Sequence, residues 1–397
     1  MLNVHYLASP DKEMTVGQLA MYQGRIYFEY DPAFLRTGIE LSPFSLPLKA
    51  GALHAEPAPW GGLYGLFNDS LPDGWGLLLM DRHLRSKGID TRYLTPLDRL
   101  AYMGHATMGA LVYEPSTEEA RDAFDIDISV MARGAIDIYA GHSSDVLPEI
   151  AQAGGSPAGA RPKVLVHLCE EQMVSGEREA PEGFESWVIK FFAEPEGSNT
   201  GKIEYAYSLM AKAAGINMPE TRLFQDNNGN AWFGIKRFDR CARERIHMHT
   251  LGGLIDADFR LPSLDYMDVL RVTQALTRNT EGVQAAFALM VFNVLAYNRD
   301  DHSKNFSYLM DSDGQWCLSP AYDLTCSSGI NGEHTTAIAG EGRAPTEAHM
   351  FQVGETVGLK QVSMQRIVER VTASISRWGE WCEQADITST IKFPPGM

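Results

Sequence analysis

The sequence predicts an α+β protein of two lobes, a β-rich N-terminal lobe followed by a helical C-terminal lobe. Three observations carry this. Between Lys163 and Asp239 short apolar or alternating runs recur, bounded by turn residues, as strands should be. From Ser263 onward the apolar residues fall at three-to-four spacing, most clearly over Glu281–Tyr297 and Val362–Glu383, which is the helical period. The chain has 397 residues, more than one ordinary core accommodates at roughly 100 to 200 residues per domain.

Residues 1–115 are expected to form a small α+β unit. Its first 60 or so residues look β-rich: Gly24–Tyr30 alternates apolar and polar side chains, and Pro43–Pro47 marks a turn after a further short strand. Ser70–Gly76 (SLPDGWG) is a dense turn cluster, and Leu77–Leu84 continues as a helix. Residues 116–240 form the second unit. Thr117–Ile150 reads as helical and acidic, and Ala151–Pro162 (AQAGGSPAGARP) as a loop lacking large apolar groups. Lys163–Leu168 reads as a strand, Glu170–Glu185 as a polar turn and Ser186–Phe192 (SWVIKFF) as a second strand. A helix over Gly201–Ala214 stops at Gly215, and strands follow at Thr221–Gln225 and Ala231–Asp239. Residues 241–397 make the helical unit, closing on a Pro-rich tail.

Composition narrows the function classes. Hydrophobic residues make up 44% and charged residues 21% of the chain, the balance of a globular protein. A formal charge of −17 repels phosphate backbones, which disfavours direct binding to DNA or RNA and leaves open a local basic patch or a DNA-binding partner. The five cysteines show no CxxC spacing, so neither zinc nor a disulfide framework is indicated and a reducing cytoplasm is expected. The N-terminus lacks a basic segment followed by an apolar run, and the apolar stretch near Ala285–Tyr297 is too short for a bilayer. No membrane segment is expected.

The chemistry-bearing residues point to phosphoryl transfer. That reaction asks a protein for cradled phosphates, a cation on the nucleotide, oxygen ligands for magnesium and a base near the nucleophile. Gly154, Gly155, Ser156, Ala158 and Gly159 would let backbone amides approach phosphate. The loop matches neither GxxxxGK[ST] nor GxGxxG, and a plain flexible linker reads equally well. Lys190 interrupts an apolar strand, where a charge is costly unless it meets an anion; the alternative is an edge strand with Lys190 in water. Glu204, early on the next helix, is its candidate partner.

The strongest signal is Asn298–Ser307 (NRDDHSKNFS) after an apolar helix. Asp300 stands five residues before Asn305, and Asp323 follows a Trp316–Leu318 strand, so that a hairpin returns it beside Asn305. Asp300 is the expected base, with Asp301 its competitor. Asn305 and Asp323 supply the hard oxygen ligands that magnesium prefers. His302 and Lys304 add donors near the transferred group. The His247-x-His249 pair is read as ordinary surface.

Five blocks in order make the chain similar to the HipA family of serine/threonine kinases, toxins of bacterial toxin–antitoxin pairs: Phe67–Gly76, Gly155–Lys163, Lys236–Arg240, Asp300–Ser307 and Ala321–Leu324. The resemblance spans nearly the whole chain and implies a protein-kinase-like fold. It implies that Ala158, Gly159, Ala160, Arg161, Pro162 and Lys163 contact ATP phosphates, that Lys190 binds the nucleotide, and that Lys236, Arg237 and Phe238 form a hinge holding adenine through its backbone. His302, Ser303, Lys304, Asn305, Tyr322 and Asp323 would complete the ATP and Mg2+ site, and Ser156 matches a serine that members autophosphorylate, to their own inactivation. Pro157 beside that serine, and Leu324 in place of the middle residue of a DFG triplet, depart from the pattern. A HipB-like helix-turn-helix antitoxin, contact with DNA only through it, and a translation substrate such as an aminoacyl-tRNA synthetase are further implied. A catalytically weak ATP-binding co-repressor and a lipid or small-molecule kinase are the competing readings.

Overall fold

The computed structural model describes residues 1–118, 123–142, 147–154, 159–176, 179–192, 197, 199–226, 229–387 and 392–394. The N-terminal unit is built on an antiparallel sheet of β1 (Leu2–Ser9), β2 (Lys12–Tyr22), β3 (Arg25–Tyr30) and β4 (Leu111–Glu114), ordered β3-β2-β1-β4. Alternation sends Val4, Val16, Leu19, Phe28 and Tyr113 into one core. The expected β-rich stretch ends earlier than its composition suggested. After Tyr30 a short helix, Pro32–Leu35, is followed by chain without a full strand to residue 60, since Pro43, Pro47, Pro57 and Pro59 each remove a ladder donor, yet Leu41, Leu46 and Leu53 still enter the core and Leu53 bridges to Phe28. A helix over Gly74–Ser86 then leads toward the second unit.

That unit centres on a second antiparallel sheet: β5 (Lys163–Cys169), β6 (Gln172–Ser175), β7 (Glu185–Lys190), β8 (Thr221–Gln225) and β9 (Ala231–Lys236), in order β6-β5-β7-β9-β8. The polar stretch Glu170–Glu185, expected as a turn, contains β6, which pairs Val166 with Ser175. The acidic segment Thr117–Ile150 is not one helix: Asp125 bridges to Val174, and helices cover Ile128–Tyr139 and Leu147–Gly154. Residues 151–154 are therefore helical rather than loop. Their small side chains are what allow it, because Ile150 and Ala153 are buried in the core that holds Leu79 and a Cβ on Gly154 would lie 2.4 Å from Leu79 Cδ1.

The C-terminal lobe packs around the Thr280–Leu295 helix, buried on nearly every side through Phe287, Met290, Val291 and Phe292. The expected Val362–Glu383 helix is broken at Ser376–Arg377 into helices Gln361–Ile375 and Trp378–Gln384. A three-stranded sheet of His247–Thr250, Ser307–Met310 and Trp316–Leu318 carries the end of the Asn298–Ser307 segment. Together the β-rich sheet and the helical lobe give the two-lobed, protein-kinase-like α+β fold that was expected.

The His247-x-His249 expectation is overturned. Both rings are buried, at 1% and 0% exposure, because the N-terminal unit covers this strand. His249 Nδ1 lies 2.6 Å from Asp69 Oδ2 and its Nε2 2.9 Å from Ser42 Oγ, while His247 Nε2 meets the Leu41 carbonyl at 3.0 Å. A second clamp joins the same units at Asp239, which is fully buried. Its carboxylate accepts from Arg237, Arg240 and the Gly109 amide, and Arg240 also donates to the Thr107 and Gly109 carbonyls.

Candidate active site

β7 is a central strand, flanked by β5 and β9, so Lys190 does not sit at a wet edge. Its ammonium bonds both Glu204 and Asp323. Glu204 is 1% exposed on the Thr200–Ala213 helix, whose early turns face the sheet. Burial alone would push the Lys190 amine down, but Asp323 and Glu204 more than reverse this and hold it above its ordinary value. Burial likewise works against the Asp323 carboxylate, and the ammonium groups of Lys190 and Lys163 hold it far below the carboxylate range. A buried cation thus gathers two carboxylates, one from each lobe.

The hairpin expected to return Asp323 is present, with Tyr308 opposite Leu318, and Asp323 itself adopts a left-handed backbone with φ of 57°. Asn305 closes a short 3-10 turn, Ser303–Asn305, and donates its Nδ2 to the Asp300 carbonyl at 2.6 Å. That bond engages the amide nitrogen, and Asn305 and Asp323 line the same pocket.

The two adjacent aspartates have different surroundings. Asp301 is fully buried and accepts from Tyr266 Oη at 2.8 Å, His334 Nδ1 at 2.8 Å, and the Thr335 and Thr336 amides at 2.9 and 3.2 Å. It is an anchor for the loop. Asp300 instead lines an open cleft of about 590 Å³. Desolvation at the cleft wall raises its carboxyl, with His302 pulling the other way and Asp323 adding to the rise.

That cleft meets a more apolar pocket at Gly159, Lys163, Lys190, His302 and Asp323. Val188, Ile235 and Phe238 from the sheet side and Leu71 and Leu111 from the N-terminal unit line the pocket. One chamber is lined mainly by apolar side chains, and the other opens past Asp300.

Other predicted residues divide between these walls and the framework. Gly159, Lys163, Lys236, Arg237, Phe238, Lys304, Asn305 and Tyr322 line the apolar pocket, and Ala160 and Arg161 the open cleft. Phe238 and Tyr322 face each other with ring centroids 5.5 Å apart. The Tyr322 hydroxyl is tied to Ser307 and to the Lys304 carbonyl. Lys163 is 3% exposed, and burial lowers it to about 8. The Lys236 ammonium pairs with Glu185 at 2.5 Å, and the Arg237 guanidinium belongs to the Asp239 clamp. Pro162 contributes a carbonyl that accepts the Phe191 amide. Ser303 is turned away from both chambers: its hydroxyl donates to the Ala257 carbonyl in a buried contact. Ser156 and Ala158 lie outside the described residues.

The Phe67–Gly76 block carries no task in the site that its sequence foretells. Asp73 nevertheless accepts the Gly159 amide at 2.6 Å and Lys304 Nζ at 2.9 Å. The clue available was an acidic, glycine-flanked, tryptophan-bearing turn cluster with no apolar period.

A solved Shewanella oneidensis HipA, in complex with HipB and its operator DNA, superposes with a TM-score of 0.71 at 16% identity, covering 99% of this chain and 92% of that one, which speaks to fold. A Sinorhizobium fredii protein named "Putative kinase Y4dM" is 28% identical over 168 residues, 38% of this chain and 40% of that protein. A Haemophilus influenzae protein named "Putative kinase" is 24% identical over 191 residues, 45% of this chain and 54% of that protein. The chain thus covers less than two thirds of either relative. Residues 11–114 match the HipA N-terminal domain, and residues 155–378, more than half of the chain, match the HipA-like C-terminal domain; with both domains present in order, the chain belongs to the HipA family.

Proposed function

We propose that this chain is an ATP- and Mg2+-dependent serine/threonine protein kinase, with Asp300 as the base that accepts the acceptor hydroxyl proton. The observation that carries this is the buried Lys190 ammonium held by both Glu204 and Asp323, an arrangement whose closest chemical use is to fix a cation and a metal-binding carboxylate beside nucleotide phosphates. The donor set suits magnesium: the Asn305 amide and the Asp323 carboxylate supply hard oxygen ligands. Magnesium, when bound, neutralises charge developing on the transferred phosphoryl group.

The chain's own residues then have distinct tasks. Val188, Ile235 and Phe238 accept the base, while Gly159, Lys163 and Lys190 face the phosphates. Asp300, destabilised as an anion by its surroundings, accepts a proton more readily than an exposed aspartate. His302 and Lys304 stabilise charge near the transferred group. The acceptor is proposed to be a translation component such as an aminoacyl-tRNA synthetase, whose phosphorylation arrests growth, and Ser156 the site of autophosphorylation. Given the −17 charge and the HipB and operator DNA bound by the Shewanella relative, DNA contact is proposed to run through a helix-turn-helix antitoxin. Transfer of labelled phosphate from ATP to an extract or to the chain, lost in Asp300→Asn and mapped by phosphopeptide mass spectrometry, tests this. Undiminished transfer by the variant would remove Asp300 from the mechanism, and tight ATP binding without any transfer would favour the co-repressor reading.

A further inference from the structure

Asp73 occupies the N-cap of the Gly74–Ser86 helix, yet its side chain makes no capping bond to that helix. An aspartate there ordinarily accepts from the second or third helical amide. Here both carboxylate oxygens are engaged elsewhere: Oδ1 by the Gly159 N–H at 2.6 Å, Oδ2 by Lys304 Nζ at 2.9 Å. The two partners come from opposite walls, one from the segment leading into β5 and the other from the catalytic segment. Burial would raise the Asp73 carboxyl, but Lys304, the Gly159 amide and Lys163 hold it below its usual range, so the clamp is anionic.

The neighbours of Asp73 fasten the same segment. The Trp75 amide donates to the Gly159 carbonyl at 3.1 Å, and Trp75 Nε1 donates to the Lys163 carbonyl at 2.9 Å. Gly74 approaches so closely, with φ of +40°, that a Cβ there would lie 2.7 Å from Ala160 Cα. Asp73–Trp75 of the N-terminal unit therefore grips both ends of Gly159–Lys163.

We propose that Asp73 is a positioning residue for phosphoryl transfer, holding the Gly159 amide and the Lys304 ammonium in register across the cleft from outside the kinase lobes. This rests on the reading that the cleft takes ATP. The Lys304 ammonium keeps further N–H donors that a polyphosphate recruits, while the bond from Gly159 fixes the backbone of the segment that leads to Lys163; groups fixed beforehand need not be ordered when the ligand arrives. The opposite role is also well defined: a carboxylate that competed with phosphate for these donors would be a plug, and its removal would tighten binding.

The test uses the full-length wild type, Asp73→Ala, Asp73→Asn and Asp300→Asn. Binding of Mg2+–ATP is measured by calorimetry, with KM for ATP, KM for the acceptor and kcat from steady-state transfer. Asp73→Ala is expected to weaken ATP binding and raise its KM about 10-fold, the scale of a lost charge-assisted contact, with the acceptor KM unchanged. Asp73→Asn, which keeps an acceptor for the Gly159 amide but not the charge for Lys304, is expected to fall between, and this partial rescue also covers an alanine variant that fails to fold. A merely structural role would lower stability and active fraction without moving the ATP dissociation constant, and that result, or tighter binding, would overturn the proposal. If the wild type binds no ATP, both this and the functional reading fall; if it binds normally and Asp73→Ala binds equally well, only this one does.

Discussion

Replacing the two adjacent aspartates one at a time should separate scaffold from chemistry. Asp301→Ala removes the acceptor for four donors, Tyr266 Oη, His334 Nδ1 and the amides of Thr335 and Thr336. The residue is fully buried, so water does not readily replace it. Each buried donor left alone costs about 1–3 kcal/mol, and after local relaxation a loss of about 3–5 kcal/mol is expected, the scale for breaking a buried polar pair. Asp300→Asn touches an exposed side chain and should change stability by less than about 0.5 kcal/mol, yet lower transfer by roughly 10²–10⁴-fold as the loss of a general base does. Urea denaturation followed by far-UV circular dichroism reads the first quantity, and labelled-phosphate transfer by the folded protein reads the second. An Asp301→Ala protein as stable as wild type, or an Asp300→Asn protein as destabilised as Asp301→Ala, would refute the division of labour.

Three further outcomes are expected. Lys190→Met removes the ammonium bonded to buried Glu204 and leaves it only the Arg161 guanidinium, 3.8 Å away, so it should abolish transfer and also destabilise the chain by up to about 3–5 kcal/mol in the same denaturation assay, whereas Lys190→Met/Glu204→Gln should recover stability but not activity. Lys163 sheds its proton near pH 8 in the native state but only near about 10.4 when unfolded; the unfolded chain then binds more protons, so stability should rise across that interval, a slope absent in Lys163→Met when urea midpoints are compared between pH 7 and 10. Asp239 is held far below the carboxylate range; burial opposes this, and Arg237 and Arg240 outweigh it. Its contribution is therefore complete above about pH 4 and lost as pH falls toward the native value, so acid unfolding monitored by tryptophan fluorescence should begin at higher pH in Asp239→Asn.

The sequence by itself determined the family and most of the local elements that carry the candidate site. Charge spacing does this directly: Lys190 inside an apolar strand, Asp300 five residues before Asn305, and Asp323 beyond a strand are local patterns, and the hairpin between Asn305 and Asp323 turns over only a few residues. Tertiary structure decided what local pattern does not encode. Asp300 and Asp301 are equivalent carboxylates until packing places Tyr266 and His334 around one of them. The His247 and His249 pair reads as surface until a separate unit covers the strand, because burial is a property of what packs on a segment and not of the segment. Residues 151–154 read as loop because small side chains carry no apolar signal, although smallness is what lets that helix approach Leu79. Asp73 acquires its task only when the fold brings Gly159, 86 positions away, and Lys304, 231 positions away, to one carboxylate.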